Sequence, residues 1–181
     1  MRTGEVRTGE RQRDMELMGL GHDVVDVAAF ARQLDEPGSR MRGLFSAREL
    51  RQTAQRARVK NDGEAVHLAA RWAGKEAVLK AWCEAIAQLP SGMAARAGAG
   101  DYPYTIDDFP WREVEILDDS HGCPRVALSG AVTAAVGRSL GCAGGEAGDA
   151  DAVAQTFAFH ISPTHDGPIA SAPDTLRVCG E

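Results

Sequence analysis

Residues 67–82 read HLAARWAGKEAVLKAW. The run is rich in alanine, carries Gly74 as its one poor helix former, and is long enough for about four turns of helix. At 100° per residue, Leu68, Trp72, Leu79 and Trp82 fall on one stripe, the face such a helix buries. Beside the stripe lie Ala69, Ala73, Glu76 and Lys80. Two nearly side-chain-free residues next to a carboxylate and an ammonium form a wall that a polar ligand can approach closely. The spacing also has a plainer meaning. Glu at i with Lys at i+4 is a common surface ion pair on helices, contributing a few tenths of a kcal/mol.

The composition bounds the rest. A chain of 181 residues suits one domain and can bury a proper core. The net charge of −6 argues against a dedicated nucleic-acid binder. No apolar run approaches the roughly 20 residues that cross a bilayer, so no membrane span is expected. The N-terminal MRTGEVRTGERQRDMEL has charge but no apolar core, unlike a secretory signal. Cys83, Cys123, Cys142 and Cys179 are scattered singly, without CxxC pairs. A reduced cytoplasmic protein is the economical reading, with neither a zinc site nor a disulfide framework. Arginine outnumbers lysine 17 to three, yet two of the lysines, Lys75 and Lys80, share the one helix.

Along the chain, residues 1–15 are polar and read as a disordered tail, with in-frame Met15 or Met18 as an alternative start. Residues 16–181 read as a single domain. Residues 17–27, LMGLGHDVVDV, predict a short strand entering a turn, with Asp23 where the strand should end. An aspartate there is ordinarily a helix cap or turn former. A helix is expected over 24–34, and Ser46-Ala-Arg-Glu49 has capping-box spacing for another. Between residues 40 and 60, seven cations stand against Glu49 alone, a local +6 in an acidic chain. Solvated faces usually mix signs, so this patch implies an anionic partner. Residues 87–110 and 141–151, rich in Gly, Ala and Pro, read as loop insertions. Between them come a half-buried strand over 111–117, a tight turn at Gly122-Cys-Pro124, a short strand over 126–128 and a small helix over 130–140. Strand character returns over 157–172, FAFHISPTHDGPIASA, with His160, Ser162, Thr164 and His165. Pro163 cannot donate to a ladder, and Pro173 follows close by, so the last strand is expected to be short or at the sheet edge.

Trp72-Ala-Gly-Lys75-Glu76-Ala-Val-Leu-Lys80-Ala81 resembles the signature helix of the 4′-phosphopantetheinyl transferases, specifically the small holo-acyl-carrier-protein synthase group. Gly21-His22-Asp23 resembles that group's G-x-D motif, Gly122-Cys-Pro124 its G-x-P hairpin, and Ser162-Pro-Thr-His165-Asp-Gly its closing motif. The likeness covers roughly residues 18–172. His22 stands where the group has an aliphatic residue, and Pro163 likewise. An inward-pointing His22 would place a polar ring among hydrophobes.

The resemblance implies an α+β fold, an antiparallel sheet packed against a long helix, assembled as a homotrimer with active sites between subunits. It implies transfer of 4′-phosphopantetheine from coenzyme A to a serine of an apo acyl carrier protein, releasing adenosine 3′,5′-bisphosphate. Such a transfer needs charge neutralisation and in-line positioning more than covalent catalysis. Magnesium suits it, held by one or two carboxylates plus substrate phosphates. Asp23 and Glu76 are the expected magnesium ligands, and Lys80 the donor to the reacting phosphate. Arg71, Pro124 and His165 match positions at the coenzyme. Arg40, Arg42 and Arg48 are expected to meet the acidic carrier, and Lys75 to snorkel as a structural residue. The base that activates the carrier serine stays open between a metal-bound water and a carboxylate. The alternatives are a non-catalytic carrier-binding relative and a basic-patch nucleic-acid binder. The trio Asp23, Glu76 and Lys80 opposes the first, and the lack of interleaved aromatics over 40–60 opposes the second.

Overall fold

The computed structural model describes residues 15–89, 99–142, 153 and 156–179. The expected tail and most of the second loop insertion therefore lie outside the described residues. In order come β1 (Met15–Asp26), α1 (Val27–Asp35), a 3-10 turn (Met41–Leu44), α2 (Ala47–Lys60) and α3 (Glu64–Ala87). A second 3-10 turn (Trp111–Glu113) leads into β2 (Val114–Asp118), β3 (Pro124–Leu128) and α4 (Gly130–Ser139). The chain closes with β4 (Phe157–Ile161), β5 (Thr164–Asp166) and β6 (Ile169–Cys179). The sheet is antiparallel, with β6 between β1 on one edge and β4 and β5 in succession on the other. β2 and β3 form a separate hairpin. The architecture is α+β, as the sequence implied.

Helix α3 crosses the sheet, and its closeness is set by glycine. On β1, Gly19 and Gly21 are buried, and a Cβ on either would overlap the backbone carbonyl of Ala81 or Ala77. Only a residue without a side chain permits that approach. Ala73, Ala77, Ala81 and Ala85 are wholly buried, and Ala170 and Ala172 of β6 complete the seam. The Leu20 N–H donates to the Glu84 carboxylate, fixing β1 along the helix.

This corrects the expected role of the helix faces. A single stripe was expected, but α3 buries side chains nearly all round, from His67 and Leu68 to Ala85 and Ile86. A helix apolar on every side belongs in a core. Ala69 and Ala73 are fully buried against other elements, so the wall of small residues receives the sheet, not a ligand.

Four further expectations change. β1 runs on to Asp26, three residues past Asp23, because Asp26, not Asp23, caps α1 by accepting from Ala29 N–H at 2.7 Å. The first three residues expected in the 111–117 strand form a 3-10 turn. The loop expected over 87–110 is partly core, since Phe109 is 5% exposed and packs edge-on to Trp82. The last strand is neither short nor at the edge: β6 is 11 residues long and central. Its Pro173 is tolerated because the carbonyl of that residue faces the break between β4 and β5, where Ser162 N–H donates to it at 3.1 Å. The missing proline donor thus falls where no ladder bond is needed. Pro163 lies in the same break. His22 points outward and is exposed, its Nε2 2.8 Å from Ser171 Oγ.

Lys75 does not snorkel. Its side chain is fully buried and its ammonium lies 2.9 Å from Glu49 Oε2, with bonds to the carbonyls of Trp111 and Val114. Glu49 also accepts from Ser46 N–H at 2.8 Å and Ile116 N–H at 3.0 Å, so the expected capping box also reaches the β2 hairpin. Every charge in this cluster has a partner, and removing one would leave the other stranded at a cost of about 3–5 kcal/mol.

Asp174 has no such relief. It is 1% exposed on the core side of β6, and neither carboxylate oxygen finds a well-formed hydrogen bond among the described residues. Burial pushes its pKa from the ordinary 3.8 up to about 8, and the Thr175 N–H gives only slight help. A carboxyl group raised in the folded state binds a proton that the unfolded chain releases. Folding stability therefore falls between about pH 4 and pH 8, by about 1.4 kcal/mol per unit while the two states differ by a full proton. Asp174→Val should melt higher than the parent, with a gap that widens from pH 5 to pH 8 and then levels. A gap of constant size across thermal melts in that range would contradict the buried acid.

Candidate functional site

Gly19, Gly21 and Asp23 alternate toward α3, so the glycine seam that docks the helix also delivers the Asp23 carboxylate to it. It meets the face carrying Glu76 and Lys80. Lys80 Nζ lies 2.7 Å from Asp23 Oδ1 and 3.9 Å from Glu76 Oε2, and donates to the His22 carbonyl at 3.2 Å. The expected trio is therefore brought together. The lysine reaches across to β1 as well as along its own helix, which the plain surface-pair reading does not require. Asp23 is 14% exposed against 48% for Lys80, so the ammonium stands at the mouth of the site.

Burial raises the Glu76 pKa, and the Asp23 charge raises it further, while Lys80 and a hydrogen bond from Trp72 oppose both. The two carboxylates feel each other, and one ammonium does not balance them. They line a cleft of about 320 Å³ between β1, α1 and α3, with Asp26, Phe30, Gln33 and Trp72 among its other walls. A larger, shallower hollow runs along α1 alone and gathers no facing groups from other elements.

The donor set fits magnesium. Two carboxylates offer hard oxygen ligands and leave room for waters and substrate phosphates, the usual mode for this ion. Among the described residues no cluster of three or more His, Cys, Asp or Glu forms an all-protein cage of the kind zinc takes.

The other expected residues lie elsewhere. Arg71 and Lys80 are nine residues apart, on opposite faces of α3. Arg71 is 6% exposed, its Nε donating to the Ile116 carbonyl at 3.1 Å and its Nη2 to Asp118 at 3.1 Å and Gln52 at 3.3 Å. Burial lowers its pKa against the pull of Asp118 and Glu49. Arg56 shares Asp118 at 3.1 Å and reaches the carbonyl of Gly122, which takes φ of 80° in the hairpin turn before Pro124. His165 sits on β5, on the opposite edge of β6 from Asp23. Of the basic patch, Arg42 pairs with Glu64 at 3.3 Å, Arg48 with Glu115 and Arg56 with Asp118. Arg40, Arg51, Arg58 and Lys60 remain exposed.

Sequence reasoning missed Asp118, Asp62 and His67. Asp118 is 47 residues from Arg71, and no local pattern marks it. His67 opens the quoted stretch, and its place among apolar neighbours was the only signal.

An α+β protein with two carboxylates lining one cleft and an ammonium beside them is equipped to hold a divalent cation against a phosphate, as group transferases do. Residues 19–138 match the model of the 4′-phosphopantetheinyl transferase superfamily, and the chain belongs to that family. It is 59% identical over 162 residues to the holo-[acyl-carrier-protein] synthase of Bifidobacterium adolescentis, covering 90% of this chain and all of that protein. The Mycobacterium tuberculosis holo-[acyl-carrier-protein] synthase is 34% identical over 163 residues, 90% of this chain and 98% of that one. Among solved structures, the Chronobacterium ammoniagenes ACPS–CoA complex superposes with a TM-score of 0.68 at 32% identity, over 90% of this chain and 98% of that one.

If Asp23 and Glu76 share one cleft, Asp23→Asn should bring the Glu76 titration down toward the ordinary carboxylate range. Carboxyl-carbon NMR of the two proteins reads this directly. An unmoved Glu76 midpoint would separate the pair.

Proposed function

We infer that this chain is a holo-[acyl-carrier-protein] synthase, moving 4′-phosphopantetheine from coenzyme A to a serine of an apo acyl carrier protein. The observation that carries it is the Asp23–Lys80–Glu76 cluster beside one cleft, in a chain that matches a synthase over 90% of its length. The assay is direct: coenzyme A, magnesium and apo-carriers from fatty-acid and polyketide synthesis, with each carrier weighed afterwards. A carrier mass increased by one phosphopantetheine is the expected result, and unchanged masses for all carriers would refute the assignment.

Asp23 and Glu76 would hold magnesium, which when bound supplies neutralisation of the pyrophosphate that must be cleaved. Lys80 adds a positive donor at the mouth of the cleft, where charge builds on the reacting phosphate. Its ammonium is half exposed and so open to an incoming phosphate. Arg71, Pro124 and His165 serve the coenzyme from the other flank of α3. One copy does not bring both sets together, which supports a homotrimer with sites shared between subunits. The exposed Leu20 and Val24, on the β1 face turned away from α3, also favour such packing. No helix of the described residues is long and apolar enough to cross a membrane. Cys83 and Cys123 are free thiols, in keeping with a reduced cytoplasmic setting.

Asp23→Ala and Glu76→Ala should each abolish transfer with the fold intact, and the double mutant should lose little more, since either removes the same ion. Lys80→Ala should lower kcat by about 10²- to 10³-fold. Full activity in a single mutant with a native circular dichroism spectrum would remove that residue from the site.

The exposed face of α2 and the turn before it dock the acidic carrier through Arg40, Arg42 and Arg48, with Arg51 and Arg58 continuing the face. Because Arg42 and Arg48 already hold acids, the clean reversals are Arg40→Glu and Arg51→Glu. Each should raise KM for the carrier and leave KM for coenzyme A nearly constant. Raising ionic strength from about 0.05 to 0.5 M should shrink the defect, because the Debye length shortens severalfold. A change confined to the coenzyme constant would assign the patch to coenzyme phosphates instead.

A further inference from the structure

Outside the carboxylate cleft, three titratable side chains from three elements meet in a row. Asn61 caps α2 in the left-handed conformation (φ 55°), and Asp62 N–H donates to the Ala57 carbonyl at 3.1 Å. This tight turn places Asp62 against the start of α3. There His67, 4% exposed, has its Nε2 2.7 Å from Asp62 Oδ1. An ionised carboxylate can only accept, so Nε2 carries the proton and the ring is held in one orientation. The other side of the row is His165 of β5, whose ring stands edge-to-face with His67 at 5.3 Å between centroids and 85° between planes.

A phenylalanine would fill the His67 space without needing a partner. A nearly buried imidazole tied to a carboxylate on one side and packed on a second imidazole on the other does more than occupy volume. We propose that Asp62 and His67 are positioning residues for His165, with Asp62 fixing the His67 ring and His67 fixing the plane in which His165 meets the coenzyme. The inference rests on the assignment of His165 to coenzyme A. A ring packed edge-to-face against a second ring limits the planes that the second ring can take.

Lys60 of α2, Asp62 of the turn, His67 of α3 and Asp166 of β5 all act on His165. Burial, Lys60 and His67 draw its pKa below the ordinary histidine value, and the two carboxylates pull it back up. Removing the Asp62 charge should therefore move His165 further down.

The test uses the full-length protein with His165→Ala, His67→Phe, His67→Gln and Asp62→Asn, each checked by circular dichroism and thermal melting. His165→Ala should raise KM for coenzyme A, and His67→Phe should move it in the same direction. Neither should change KM for the carrier. His67→Gln, whose amide can still donate to Asp62, should recover most of the loss. Histidine NMR of Asp62→Asn should show the His165 midpoint at lower pH than in the parent. If His165→Ala leaves the coenzyme constant unchanged, the coenzyme assignment fails and the positioning role with it. If His165→Ala is impaired while His67→Phe and Asp62→Asn match the parent in KM and in the His165 midpoint, the assignment stands and the positioning role is refuted.

Discussion

The contact on which the structure depends is backbone against backbone, where β1 crosses α3 at Gly19 and Gly21. Missing side chains at two positions of a strand let it settle onto the carbonyls of Ala77 and Ala81. Dispersion is steep in distance, so a gap of even half an ångström forfeits a good part of each contact. The same alternation that buries the glycines turns the next inward residue, Asp23, onto the helix beside Glu76 and Lys80. Packing and chemistry therefore use one register. A shift of one residue would send Asp23 to the solvent face and Leu20 and His22 into the seam.

The opposite flank of α3 is held by charge. Lys75 joins Glu49 inside the core, and Arg71 and Arg56 share Asp118, so α2, α3 and the β2–β3 hairpin are tied by groups that can be buried only together. Such clusters are a costly way to stabilise a fold but a selective one, because every other arrangement strands a charge. The two flanks differ accordingly. Toward β1 the helix presents a half-exposed ammonium paired with Asp23, and toward the hairpin it presents the Arg71 guanidinium locked in place.

Much of this was legible in the sequence, for reasons that are local. The alanine content and length of residues 67–82 announce a helix whatever surrounds it, and Ser46 with Glu49 announces another because a capping box closes within one turn. Gly122 before Pro124 marks a tight turn for the same reason. The pairing of Glu76 with Lys80 follows from spacing alone. Their company with Asp23 was implied by the resemblance of two motifs lying about 50 residues apart, and the fold places them within one cleft.

What the tertiary structure decided are the things set by distant partners. The sequence could not say which face of α3 is core, since the helix is enclosed by β1 and β6 on one side and the hairpin on the other. Whether Lys75 snorkels or is buried depends on Glu49, 26 residues earlier, and Arg71 is held by Asp118, 47 residues later. Pro173 looked like an edge residue by chain logic, yet it occupies a central strand because β4 stops and β5 starts just where its donor is missing. Helix, turn and cap are consequences of neighbours along the chain. Burial, ion pairing and strand order depend on which segments come together in space, and that is fixed only when the whole chain has packed.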